Sequence, residues 1–157
     1  EYRPDSEALA LGRAELLLRI GRQDEAVAAY RAAVKRWPES SISLNALGYT
    51  LADRTDRYEE AQKLIRKALK IDPNNPAIID SLGWVLYKLG DHDKALLELR
   101  RAYQAFEDAE VASHIVEVLA VLERSDEALL LLEAAEKDDP DSELLKDVRG
   151  RFFPEVP

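Results

Sequence analysis

The chain has no cysteine and no methionine. Without cysteine, disulfides, zinc–thiolate sites and cysteine nucleophiles are excluded. Methionine is missing even at position 1, so a mature form or a piece of a longer protein is expected. No apolar run approaches the ~18 residues that a membrane-spanning helix needs. No charged-then-apolar leader opens the chain either, although a signal or lipid anchor would lie upstream of these residues. Only 6 glycines occur, none in a phosphate-binding loop, and the 2 histidines, His92 and His114, belong to no HExxH pattern. The metal candidate is an i, i+3 pair, His114 with Glu117, of a kind that can hold an ion inside a helix bundle; groove lining or packing is the preferred reading of His114. The carboxylate pairs Glu59–Glu60, Asp126–Glu127 and Asp138–Asp139 read as helix-end and solvated groups. No catalytic residue, cofactor or metal site is expected, and the chain reads as a non-enzyme.

What the chain does have is charge, apolar residues and a period. Its 157 residues suit one domain, with Asp+Glu 31 against Lys+Arg 22 for a net charge of −9. That balance argues against duplex nucleic acid or an anionic bilayer as the main partner, since either would repel the chain. Ala26, Ala61, Ala95 and Ala128 each follow an acid-rich turn, at spacings of 35, 34 and 33 residues. A second alanine stands seven residues after each, at Ala33, Ala68, Ala102 and Ala135. Between them come Tyr30, Ile65, Leu99 and Leu132, and closing prolines follow at Pro38, Pro73 and Pro140, with Glu107 in the remaining column. A period of this length is the signature of a solenoid.

Each period predicts two helices. In the third, Ile78, Ile79, Leu82, Val85, Leu86 and Leu89 mark one broad apolar face over 77–89. Gly90 ends that helix, and Asp91 and Asp93 suit the next N-terminus by capping and by the macrodipole. Gly83 with Ala95, and Gly48 with Ala61, are expected to allow close helix approach. The strings LNALGYTL, YEEAQKLIRKALKIDP and SLGWVLYKLGDHDKALLELRRAY resemble tetratricopeptide repeats. The resemblance implies an all-α solenoid of helix-turn-helix units across 1–157. It places repeats at about 7–40, 41–75, 76–108 and 109–141, followed by a capping helix at about 142–153. Departures are Ala14 and Val116 in the glycine column, one extra residue within 52–58 and one residue lost near 107–110. Leu144, Leu145 and Val148 are expected to cover the last apolar face, with Glu143, Lys146, Asp147 and Arg149 toward water. EYRPDSEA offers no comparable N-terminal cap, so the chain reads as the C-terminal part of a longer array.

The resemblance also implies a function, the binding of a protein or extended peptide along the concave face. The groove-facing columns of such repeats give Asn45 and Tyr49, then Asp80, Trp84, Tyr87 and Lys88, then Ser113, Glu117 and Val121. Tyr49, Trp84 and Tyr87 are expected to form an aromatic cluster, with a structural role for the rings as the alternative. The lysine, arginine and asparagine clamp of chaperone-binding members is not matched, because Leu11, Glu15, Asn45 and Tyr49 stand there. Net charge is uneven: residues 107–147 hold 14 acidic and 3 basic groups, suited to solubility or to a basic partner. The second and third repeats further resemble the C-terminal repeats of long proteobacterial envelope proteins. Among these are pseudomonad outer-membrane lipoproteins that bind and activate a carboxyl-terminal processing protease. That resemblance implies a periplasmic, outer-membrane-associated adaptor acting on the protease or its substrates, with the cytoplasm as the other location. A self-assembly module is the alternative function.

Overall fold

A computed structural model describes residues 6–154; the opening EYRPD and the closing EVP lie outside the described residues. Nine α-helices and no strand occur among the described residues. They are α1 (Glu7–Arg19), α2 (Gln23–Arg36), α3 (Ser41–Arg54), α4 (Tyr58–Ile71), α5 (Pro76–Lys88), α6 (His92–Ala105), α7 (Ala109–Val121), α8 (Ser125–Asp138) and α9 (Glu143–Phe152). Odd-numbered helices pack on one another in an inner row, and even-numbered helices form the outer layer.

The two rows start differently, and the sequence explains why. Ser6, Ser40, Asn75, Asp108 and Ser142 cap the odd helices, each side chain accepting a backbone N–H of the first turn. The even helices α2, α4, α6 and α8 follow Arg22, Arg57, Asp91 and Arg124 without a side-chain cap bond. The residue at each of these four positions instead pairs with the side chain three residues on: Arg22–Glu25, Arg57–Glu60, Asp91–Lys94 and Arg124–Glu127. Asp91 thus meets Lys94 Nζ at 2.5 Å rather than capping its helix. Left-handed residues make the preceding turns, Gly21 (φ 78°), Gly90 (φ 84°) and Glu123 (φ 58°). In the second repeat the extra residue replaces that turn, and Thr55 bonds the Leu51 carbonyl through its N–H and its Oγ1.

Close packing sits where the small residues are. Ala14, Ala26, Ala61, Ala68, Ala95, Ala102 and Ala128 are fully buried. A Cβ on Gly48 would lie 2.6 Å from Ile65 Cγ1, and one on Gly83 would lie 2.5 Å from Leu99 Cγ. Gly83 therefore makes room for Leu99, one turn beyond the expected Ala95. The cap differs from expectation in three places. Leu145 and Val148 are buried, but Leu144 is 49% exposed. Arg149 is half-buried and holds Glu136 of α8 with two bonds of 2.7 and 2.6 Å. Phe153 completes the cover.

Candidate functional site

Four inner helices surround a cleft of about 360 Å³ on the concave side. α3 brings Tyr49, Asp53 and Arg54; α5 brings Trp84; α7 brings Glu110, Ser113, His114 and Glu117; α9 brings Leu144, Asp147, Val148 and Arg151. Of the residues taken from the groove columns, Tyr49, Trp84, Ser113 and Glu117 thus share one cleft. Asn45, Asp80, Tyr87 and Lys88 stand behind or beside it, and Val121 is exposed at the end of α7.

The floor is a stack rather than an open aromatic patch. Trp84 is only 5% exposed. His114 lies parallel to its ring at 4.1 Å between centroids, and Lys88 Nζ sits 4.3 Å from the ring centre. Tyr87 packs on Trp84 at 5.2 Å, and Tyr49 reaches the group through His114 at 6.3 Å. His114 links Trp84 to Tyr49 and to Asp80. A histidine one position beyond a groove column turns toward the preceding inner helix, α5, where its Nδ1 pairs with Asp80 Oδ1 at 2.9 Å. Asp80 and Ser113 are buried as well, and the Ser113 hydroxyl donates to the Glu110 carbonyl.

Two tyrosines tie the walls together. Tyr49 Oη donates to Glu110 Oε1 at 2.6 Å, and Tyr87 Oη to Glu117 Oε1 at 3.0 Å. Arg151 of the cap completes the second link by binding Glu117. Burial first, then the Glu110 carboxylate, raises the Tyr49 phenol far above its ordinary value. Burial and Glu117 push Tyr87 up to about 12. Desolvation opposes the charged form of His114, but Asp80, Glu110 and Asp53 together outweigh it and hold its pKa above the ordinary value. Glu117 is thus engaged with Tyr87 and Arg151, while His114 is paired with Asp80. Among the described residues no group of three His, Cys, Asp or Glu side chains is placed to hold a metal ion.

What the cleft offers a partner is an open apolar side chain, Leu144, beside Val148 and polar rims of both signs. Trp84 Nε1 and Asn45 Oδ1 are buried without a hydrogen-bond partner among the described residues. No helix among the described residues is long and apolar enough to cross a membrane.

Comparisons with known proteins place this geometry in a family. Two family models of the tetratricopeptide repeat match residues 3–76 and 54–113. The chain is 52% identical over 87 residues to TPR repeat-containing protein PA4667 of Pseudomonas aeruginosa, a match covering 55% of this chain and 15% of that protein. It spans only that small share of the relative's length. Among solved structures it resembles TTC0263, a TPR protein of Thermus thermophilus, with a TM-score of 0.82 and 24% identity over 97% of this chain and 82% of that one. It also resembles YrrB, described as a TPR protein with an unusual peptide-binding site, with a TM-score of 0.61 and 24% identity over 93% and 86% of the two chains. The alanine and glycine columns, the capped inner helices and these matches agree: the chain belongs to the tetratricopeptide-repeat family.

Proposed function

We propose that this chain is a non-catalytic scaffold that holds a protein or extended peptide in the cleft between α3, α7 and α9. The observation that carries the reading is Leu144, a leucine left 49% exposed on the wall of a concave cleft. Repeats that only need covering would bury it, as they bury Leu145. An exposed apolar side chain on the wall of a polar-rimmed cleft gives a partner apolar surface to bury beside hydrogen-bonding groups. Trp84 supports the site from below, where its stack with His114 and Lys88 fixes the floor.

In the full-length protein the partner is a carboxyl-terminal processing protease or its substrates, and the location is the periplasm at the outer membrane. This finer reading draws on the likeness of the second and third repeats to envelope adaptor proteins. Calorimetric titration of the purified protease from the same cell into this chain, beside the Leu144→Asp variant, tests both levels. Binding that Leu144→Asp weakens at least tenfold supports site and partner together. Binding that the variant leaves unchanged moves the site away from the cleft. An absence of binding by the wild-type chain removes the protease as partner, and fractionation of source cells into periplasm and cytoplasm tests the location separately.

A further inference from the structure

The outer layer carries the most exposed apolar side chains. Leu130 of α8 is 71% and Leu97 of α6 67% exposed, more than any other large apolar residue among the described residues. They hold the same place in successive repeats, two residues after Ala128 and Ala95, where the first two repeats carry Ala28 and Lys63. Each leucine therefore stands on the ridge of an outer helix, and a groove lies beside each. The groove between α4 and α6, about 560 Å³, has Leu82 and Leu86 in its floor. The groove between α6 and α8, about 580 Å³, has Ile115 and Leu119.

Charge distinguishes the two grooves. At two junctions between outer helices an arginine five residues after the column alanine binds a glutamate just before the next one: Arg31 binds Glu60, and Arg100 binds Glu127. Two residues break this rule, in opposite senses. Lys94 stands in the glutamate column and turns to Asp91, so Arg66 has no ion pair or hydrogen bond among the described residues. Glu133 of α8 stands in the arginine column. The α4–α6 groove is consequently rimmed by Arg66, Lys70, Lys94 and Arg101 against one acid, Glu98, which is engaged with Arg101. The exposed stripe of α8 runs through Asp126, Leu130 and Glu133, and neither acid has an ion pair among the described residues.

We infer that this outer face is self-complementary, and that a second copy of the chain docks on it about a twofold axis parallel to the outer helices and lying between α6 and α8. That operation lays the α8 ridge of one copy in the α4–α6 groove of the other, and the α6 ridge in the α6–α8 groove, ridge into groove throughout. Residues at equal heights in their repeats then meet. Leu130 meets Leu97 of the other copy. Glu133, level with Arg66, reaches the arginine that lacks an internal acid, and Asp126 comes within a residue of the level of Lys94. Each contact occurs twice, as an isologous interface requires. Acidic helix and basic groove thus match locally although the whole chain carries −9. One contact is mismatched: Lys137 is level with Lys70, both nine residues after their column alanines. The even helices form the outer layer, so the inner cleft stays open in both copies.

Sedimentation equilibrium across a range of concentrations tests the inference. The mass should rise from one chain to two and stop there. Leu97→Asp, Leu130→Asp and Glu133→Arg should each raise the dimer dissociation constant by about tenfold or more. Adding Arg66→Glu to Glu133→Arg should restore dimerisation. Lys137→Glu, which removes the like-charge contact with Lys70, should tighten the dimer. All five positions are exposed, so dilute, monomeric samples of every variant should melt within about 2 °C of the parent. A monomer at every concentration up to about 1 mM, a mass that climbs past two chains, or a dimer unmoved by Leu130→Asp and Glu133→Arg would each overturn it.

Discussion

Tyr49 and Glu110 are 61 residues apart, on helices separated by a whole repeat, yet the Tyr49 hydroxyl donates to the Glu110 carboxylate at 2.6 Å. Solenoid stability is ordinarily a sum of repeats and nearest-neighbour interfaces. This bond crosses over α5 and joins the second repeat to the fourth. A hydrogen bond to a charged group contributes about 1.5–3 kcal/mol. Tyr49→Phe should therefore cost about that much in urea unfolding. Its effect should be non-additive with Glu110→Gln by at least ~0.5 kcal/mol. Additive losses would mean that the link carries no coupling and that neighbour contacts alone hold the array.

The His114–Asp80 pair makes stability depend on pH. The folded-state pKa of His114 is raised, so the ring binds a proton more tightly folded than unfolded. The resulting stability is complete below the unfolded value near 6.5 and is lost as pH rises through the folded value. Unfolding free energy should thus fall on going from pH 6 toward alkaline pH. His114→Gln should remove this slope and, by leaving Asp80 buried without its cation, cost about 3–5 kcal/mol at pH 6. Asp53 and Glu110 also act on the ring, both favouring its charged form. A wild-type profile that rises across the same range would exclude the charged pair.

Glycine is used with different consequences in different places. Gly83→Ala puts a methyl 2.5 Å from Leu99 Cγ and 3.1 Å from its backbone nitrogen, an overpacking that should cost about 1–3 kcal/mol. Gly12 and Gly150 are helical with open space around them, so alanine there should stabilise by up to ~1 kcal/mol. Glu123 is the reverse case, a side chain held at φ 58° where the first and third repeats have glycine. Glu123→Gly should raise the melting temperature, consistent with the ~1–2 kcal/mol that a left-handed residue costs. Thermal melts of the four variants, two rising at the helical glycines, one rising at Glu123 and one falling at Gly83, check the assignment.

The repeats were legible because their small residues are packing requirements with a fixed period. An alanine at a helix crossing cannot move without moving its partner, so Ala26, Ala61, Ala95 and Ala128 report the whole architecture. The cleft was legible only where a repeat column reaches it, as with Tyr49, Trp84, Ser113 and Glu117. Leu144, Asp147 and Arg151 stand on α9, which completes no repeat and so has no column to be read from. His114, expected to line the groove or pack, does both, but its partners were not legible. It takes the column of Ser81, a buried serine in the preceding repeat, and only the stacked geometry shows that it faces Asp80 and Trp84.

Trp84 and Leu144 divide the cleft into a part that holds the fold and a part that meets a partner. Trp84 is packed on both faces, by His114 and by Lys88, and its removal should cost about 3–5 kcal/mol of stability. Leu144 is half in water near the start of α9, so Leu144→Asp should shift unfolding by no more than about 0.5 kcal/mol. Binding should rank the two the other way. Leu144→Asp should weaken a cleft-bound partner by at least tenfold, about 1.4 kcal/mol. Trp84→Phe, which keeps a ring in the stack, should retain most of the affinity. Fluorescence separates these roles directly once Trp37, at the end of α2, is replaced by Phe. Trp84 should then emit to the blue and resist quenching before any partner is added, with little change on binding. A red-shifted, readily quenched Trp84 that becomes protected by partner would instead put the ring itself at the contact, and Leu144→Asp would then leave binding intact.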